Sequence, residues 1–300
     1  MRLSKFSALL WISLAVGLYV AVPAWSAARI HTELLQLRTA DGLTLTGVLR
    51  QAEPASSKAC LIMVHGYGGN FYSGIMENLP GKLTEQGLAT LPFNLRTHDL
   101  NPQKSLFEQV REDLSAAVAE ASRLGYNPIF LHGHSMGTNA VLYFLAAAPR
   151  PQVKGAILTG PPGDPYQWNV RVMGKEAATG TLDKAMELAN QGKADDLMVI
   201  NLGPLGKALY TPNYLLSLRG PDRLSNPLQN ITKVTQPLVI IRGLADNLID
   251  PQVPELLRQS APHPEQVELI QIPGADHCFT GQEQVLSEHI LRWIAKQAVK

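Results

Sequence analysis

Gly133-His134-Ser135-Met136-Gly137 follows a short apolar run, Pro128-Ile129-Phe130-Leu131, and precedes a helical pattern from Thr138 to Ala148. Strand, sharp turn and helix in that order are what a nucleophile elbow requires. The flanking glycines matter sterically: such a turn holds its serine in a strained backbone conformation, where neighbouring Cβ atoms would clash. The hydroxyl then stands clear of the sheet, with a helix N-terminus behind it. Read this way, Ser135 is a nucleophile and the chain a hydrolase.

A single pentapeptide is weak, so the reading rests on its surroundings. Upstream, Ala59 to Val64 reads as a buried strand running into His65-Gly66-Tyr67-Gly68-Gly69-Asn70. A glycine-rich loop after a strand lets backbone N–H groups face a ligand. In an oxyanion hole one donor comes from such a loop and the other from the residue after the nucleophile. The donors expected are Tyr67, with Gly68 as the alternative, and Met136. Downstream, strand Pro237 to Ile241 leads to Arg242-Gly243-Leu244-Ala245-Asp246, and strand Val267 to Ile272 leads to Pro273-Gly274-Ala275-Asp276-His277. Each candidate stands just past the carboxyl end of a strand, where open α/β sheets bind ligands. The chain order Ser135, Asp246, His277 is that of a Ser-Asp-His triad on such a scaffold. Asp250 and Asp276 are the rivals to Asp246. Asp250 precedes Pro251 and reads as a helix cap; Asp276 adjoins His277, so its side chain should point elsewhere.

With these pieces in order, the chain resembles the α/β-hydrolase superfamily over nearly all of its length beyond the N-terminal segment. The matching motifs are HGYGGN at 65–70, GHSMG at 133–137, RGLAD at 242–246 and GADH at 274–277. The loop is HGYGG rather than the HGGG of one large lipase and esterase branch. It looks more like the esterase, monoacylglycerol-lipase and serine-aminopeptidase-like branch. The resemblance implies an α/β-hydrolase fold: a mostly parallel eight-stranded sheet flanked by helices, with a mainly helical cap inserted after strand 6. It also implies Ser-His-Asp chemistry. Dehalogenase and epoxide-hydrolase branches place an aspartate at the elbow and fit poorly.

The remaining pattern agrees with that layout. His31–Thr39 and Leu43–Gln51 alternate about an Asp41-Gly42 turn, a hairpin signal. Helices are expected at Gly74–Gln86, kinked or started by Pro80, and at Leu106–Leu124, with a strand at Leu88–Asn94 between them. Another strand runs from Val153 to Thr159. From Gly160 to Thr235 the strand–helix alternation stops. Helical pieces are expected only at Thr181–Gln191 and Pro204–Leu209, yet the segment is too apolar for a disordered loop. It reads as a cap at about 161–235. Strand 237–242, helix 254–260, strand 266–272 and helix 282–298 complete the domain, assigned to 29–300.

Residues 1–28 read as a signal peptide: Arg2 and Lys5, an apolar stretch from Ala8 to Val22, then small residues. The expectation is an exported protein, periplasmic or secreted, with an uncleaved membrane anchor as the alternative. A net charge of +1 gives no electrostatic case for nucleic acid. The two cysteines, Cys60 and Cys278, belong to opposite ends of the sheet. At ~3.3 Å per residue they are about 17 Å apart, too far for a disulfide.

Of the other histidines, His65 and His134 belong to motif loops and are expected to support them. His132 reads as a satisfied core group, and His31, His263 and His289 as surface residues. No pair has zinc-motif spacing, so neither metal nor cofactor is expected. Gly68, Phe71, His98 and Phe279 are expected around the substrate, with plain core packing an equal alternative for Phe279, and with Tyr67 and Met136 adding apolar wall. These neighbours favour uncharged acyl groups.

The function expected is hydrolysis of a small-molecule carboxylic ester, lipid-derived esters among the candidates, through an acyl-enzyme. A lipid substrate would bring the protein to a membrane surface; no obligate protein partner is expected. The alternatives are a serine aminopeptidase or amidase and a non-catalytic binding protein. The former would need acidic cap residues for a substrate amine, for which Asp183, Glu187, Asp195 and Asp196 are available.

Overall fold

A computed structural model describes residues 29–55, 57–99, 102–148 and 150–298. The expected signal peptide lies outside the described residues. In chain order the elements are β1 (Arg29–Arg38), β2 (Thr44–Glu53), β3 (Cys60–Val64), α1 (Ile75–Glu85), β4 (Ala89–Phe93), α2 (Val110–Arg123), β5 (Ile129–His134), α3 (Met136–Ala147) and β6 (Val153–Thr159). Then follow α4 (Pro165–Met173), α5 (Lys175–Asn190), β7 (Met198–Asn201), β8 (Lys207–Tyr210), α6 (Pro212–Arg219), α7 (Pro227–Asn230), β9 (Leu238–Gly243), α8 (Val253–Ser260), β10 (Val267–Ile272) and α9 (Glu283–Ala298).

Eight strands form one sheet in the order β1-β2-β4-β3-β5-β6-β9-β10. The β1–β2 and β2–β4 pairs are antiparallel; every other pair is parallel. The central strands β3, β4 and β5 are buried along their whole length. They therefore read as continuous apolar runs, as parallel strands covered on both faces do. Alternation survives in where each side chain goes. Cys60, Ile62 and Val64 of β3 join the core under α2 and α3, while Leu61 and Met63 join the core under α1 and α9. Each fully buried leucine, isoleucine or phenylalanine contributes roughly 1.5–3 kcal/mol. On the α9 face Trp293 packs edge-on to Phe130, with ring centroids 6.0 Å apart. Gly155 makes room for it, since a Cβ there would lie 2.6 Å from the indole.

Three expected elements need correction. Of the two roles expected of Pro80, it does not start α1; it is buried in the middle of the helix. One turn on, the Thr84 hydroxyl donates to the Pro80 carbonyl at 2.9 Å. Pro204–Leu209 is not a helix. Gly203 and Gly206, at φ 59° and 81°, confine the helical part to one turn at Gly203–Leu205. The chain then enters β8, which pairs antiparallel with β7 as a separate two-stranded ribbon. Helix α5 starts at Lys175, ahead of the expected Thr181.

The insertion between β6 and β9 is thus mainly helical, with that ribbon added. It is fastened to the core near both ends. The Asn139 side-chain amide, on α3, donates to the carbonyls of Gly163 and Ser225, each at 2.9 Å. Asp164 caps α4 through the Tyr166 N–H and pairs with Arg223 from the far end of the insertion.

Candidate active site

Ser135 occupies the single residue between β5 and α3, at φ 53° and ψ −126°. A non-glycine residue with positive φ costs on the order of 1–3 kcal/mol and persists only when its surroundings over-determine it. They do here. The Ser135 N–H donates to the Thr159 carbonyl at 2.9 Å, and its own carbonyl accepts both the N–H and the hydroxyl of Thr138. The glycines on either side are needed for close approach. A Cβ on Gly133 would lie 2.5 Å from the Gly137 carbonyl oxygen, and one on Gly137 would lie 2.4 Å from that of Val64.

Asp246 and His277 lie on loops after β9 and β10. These neighbouring strands pair in parallel, so their carboxyl ends emerge side by side. The loops press together at Gly243, where a Cβ would be 2.3 Å from the Ala275 carbonyl oxygen. The result is a hydrogen bond of 2.7 Å between His277 Nδ1 and Asp246 Oδ2. Gly160, at the end of β6, leaves the space the imidazole fills; its Cβ would stand 3.1 Å from His277 Cε1. Burial pushes the Asp246 carboxyl up, but the His277 bond and the N–H groups of Leu248 and Ile249 outweigh it and hold the group below the usual range. A carboxylate only accepts, so Nδ1 carries the proton, leaving Nε2 free to take one. The rival carboxylates are engaged elsewhere: Asp250 accepts from the Gln252 N–H, and Asp276 from that of Thr280.

Ser135 and His277 open onto one cavity of about 190 Å³. That is somewhat larger than a cavity of ~150 Å³ that takes benzene. Tyr67 and Met136 line it beside Ser135. Met136 is the first residue of α3, so its N–H has no partner within the helix. The core supplies Ile75, Met76 and Ile249 to the wall; the insertion supplies Pro165, Trp168 and Leu205. Trp168 also donates its indole N–H to the Leu248 carbonyl, which Arg171 reaches as well.

The 65–70 loop is held from behind. The Leu95 N–H donates to His65 Nε2 at 3.0 Å, so Nδ1 is the protonated nitrogen and donates to the Gly66 carbonyl at 2.8 Å. Burial lowers His65 to about 4, keeping it neutral. Asn70 donates to Asp99, which also bonds His98. His132 and His134 both meet the Thr159 hydroxyl. His134 Nδ1 is 3.1 Å from that oxygen, and its ring lies 4.9 Å from that of His277. His132 Nδ1 has no partner, so this histidine is only half satisfied.

The expected pocket wall needs revision. Gly68, Phe71, His98 and Phe279 are not among the residues lining the cavity. Phe279 is fully buried and packs into the α1–α9 core. Phe71 packs edge-on to Tyr72, and His98 sits in the Asp99 network behind the loop. Cys278 does line the cavity, and both cysteines are free. Arg219 and Trp168 were not foreseen. Asp164-Pro165 carried a usable signal, a capping residue followed by proline at a first helical position. Arg219 carried none, because an arginine in the last turn of a helix ordinarily reads as a surface charge. Among the described residues, no three His, Cys, Asp or Glu side chains gather as metal ligands would.

Comparison with known proteins gives the same frame. The family model described as serine aminopeptidase, S33, matches residues 55–196, a little under half of the chain. No curated protein matches it. Among solved structures, Est1E from Butyrivibrio proteoclasticus with bound ferulic acid superposes with a TM-score of 0.66 at 19% identity, covering 89% of this chain and 100% of that one. The esterase domain of a Rhodothermus marinus protein gives 0.61 at 20% identity, over 88% and 97%. The siderophore hydrolase EstB from Aspergillus fumigatus gives 0.66 at 15% identity, over 88% and 98%. At such identities the likeness speaks for the fold. Together with the family match and the order of the four motifs, it gives the chain the α/β-hydrolase fold.

Proposed function

We propose that this hydrolase cleaves carboxylic esters through a Ser135-His277-Asp246 triad, and that residues 1–28 export it. The observation that carries the ester reading is the make-up of the cavity. Ser135 and His277 share it, and among the described residues no carboxylate lines it. An aminopeptidase must hold a substrate ammonium against an acidic group. The carboxylates available in the insertion, Asp183, Glu187, Asp195 and Asp196, are all exposed, and none reaches the cavity wall. Several structural relatives are described as esterases, which supports the same reading.

In the proposed mechanism, Ser135 Oγ attacks the ester carbonyl while its proton passes to His277 Nε2. Asp246 stabilises the imidazolium. The oxyanion accepts the N–H groups of Tyr67 and Met136, each worth on the order of 3 kcal/mol in the transition state. Collapse breaks the bond to the alkoxide, which leaves with the proton from His277. Water then attacks the acyl-serine, with His277 as base, and releases the acid.

The test is turnover of p-nitrophenyl esters from acetate to palmitate beside Ser135→Ala and Asp246→Asn. Each substitution should lower kcat/KM on the order of 10⁴-fold. Full activity in Ser135→Ala would overturn the mechanism. Cleavage of aminoacyl anilides without cleavage of any ester would turn the assignment to an aminopeptidase.

A further inference from the structure

Arg219, the last residue of α6, is only 4% exposed, yet it lines the same cavity as Ser135 and His277. Its Nε and Nη1 are buried without a hydrogen-bond partner. Among the described residues no carboxylate lies within ion-pair distance of it. Its guanidinium carbon stands 5.6 Å over the Tyr210 ring, an aromatic contact that orients the cation without supplying an acceptor. Tyr67 and Tyr214 are near enough to feel its charge. Burial nevertheless pushes both phenols up, so neither provides a phenolate to neutralise it.

A guanidinium is a permanent cation with five N–H donors, and burying one unpaired is strongly unfavourable. The position makes sense if a ligand completes it. The rest of the wall is mostly apolar, with Ile75, Met76, Pro165, Trp168 and Leu205. One fixed cation in an apolar, small cavity matches one negative charge on a compact apolar body. We infer that the cavity takes esters that carry a free carboxylate, held by Arg219 while the ester carbonyl meets Ser135. A guanidinium is planar and always charged, which suits it to hold a carboxylate. A single cation suits a monoanion better than a phosphate dianion. This inference rests on the ester-hydrolase reading and replaces the expectation of uncharged acyl groups.

The test compares two esters of matched shape on the full chain: monoethyl succinate, and ethyl 4-methylpentanoate, in which an isopropyl group replaces the carboxylate. Acid release gives kcat/KM for each. The wild type should favour monoethyl succinate at least tenfold, chiefly through KM. Arg219→Met should lower that ratio at least tenfold, and Arg219→Lys should fall between. Preference for the neutral ester, or an unchanged ratio in Arg219→Met, would overturn the inference. Calorimetry with Ser135→Ala separates it from the reading it rests on. If neither ester is turned over, the ester assignment fails alone. Heat of binding for monoethyl succinate and none for the neutral ester would then still support the carboxylate site, and no heat for either would end it.

Discussion

The indole N–H of Trp168 donates to the carbonyl of Leu248 at 2.9 Å, joining α4 of the insertion to the loop that carries Asp246. That loop is held from the other side as well, because Asp246 accepts the Leu248 N–H at 2.9 Å. One residue therefore links the insertion to the carboxylate partnered with His277.

Trp168→Phe keeps an aromatic wall in the cavity and removes the donor. A hydrogen bond of this kind contributes about 1 kcal/mol, so the melting midpoint should fall by about 2–4 °C. If the link also positions Asp246, kcat on a p-nitrophenyl ester should fall several-fold with KM little changed. A drop in stability with kcat intact would show that the bond only fastens the insertion.

Gly66→Ala tests the closeness of the loop to the elbow. The added Cβ would stand 2.8 Å from the Ser135 Cβ. Ser135 cannot yield, because its backbone is tied to Thr159 and Thr138. The loop must move instead, taking Tyr67 with it, and misplacement of this order costs roughly 10²-fold in kcat/KM. The control is Gly180→Ala, mid-helix in α5 with open space around its would-be Cβ. It should raise stability by about 0.5–1 kcal/mol and leave kcat/KM alone. Equal activity in both variants would dismiss the steric account.

Acid should destabilise the fold through its buried histidines. Burial lowers His65 to about 4 and His132 to about 3, and it holds His134 well below its ordinary value, with the charges of His277 and His132 adding to the effect. All three are depressed, so the unfolded chain binds protons near pH 6.5 that the folded chain refuses until far lower. Stability is whole above about pH 6.5 and is lost as pH falls from there towards 4. By pH 5, His65 and His132 together should cost roughly 4 kcal/mol. Urea midpoints measured from pH 7.5 to 5 check this. A flat profile would mean that these rings are protonated, or hydrated, in the native state.

The core was legible because its signals are local. The apolar run of β3 and the pentapeptide at Ser135 each carry their meaning within a few residues, and strand ends locate Asp246 and His277. The insertion was not legible in the same way. The β7–β8 ribbon depends on two glycines whose φ values no propensity reveals, so Pro204 passed for a helix start. Phe279 was expected at the pocket wall because it is two residues from His277. Its φ of 57° accompanies a turn of the chain, and the ring lies in the core. Arg219 marks the limit most clearly. Its meaning comes from the cavity it shares with Ser135 and His277 and from the absence of an acceptor beside it, neither of which its place in the sequence announces.

Asn139 belongs to the helix behind Ser135, yet its amide grips the chain both where the insertion departs and where it returns. Both crossing points are thereby pinned to one atom of the hydrolytic core, whatever runs between them. The insertion is in that sense a detachable module on a fixed socket. A foreign segment whose two ends met this amide would keep both crossing points and bring its own selectivity, but would have to replace the Trp168 hold on the Leu248 carbonyl.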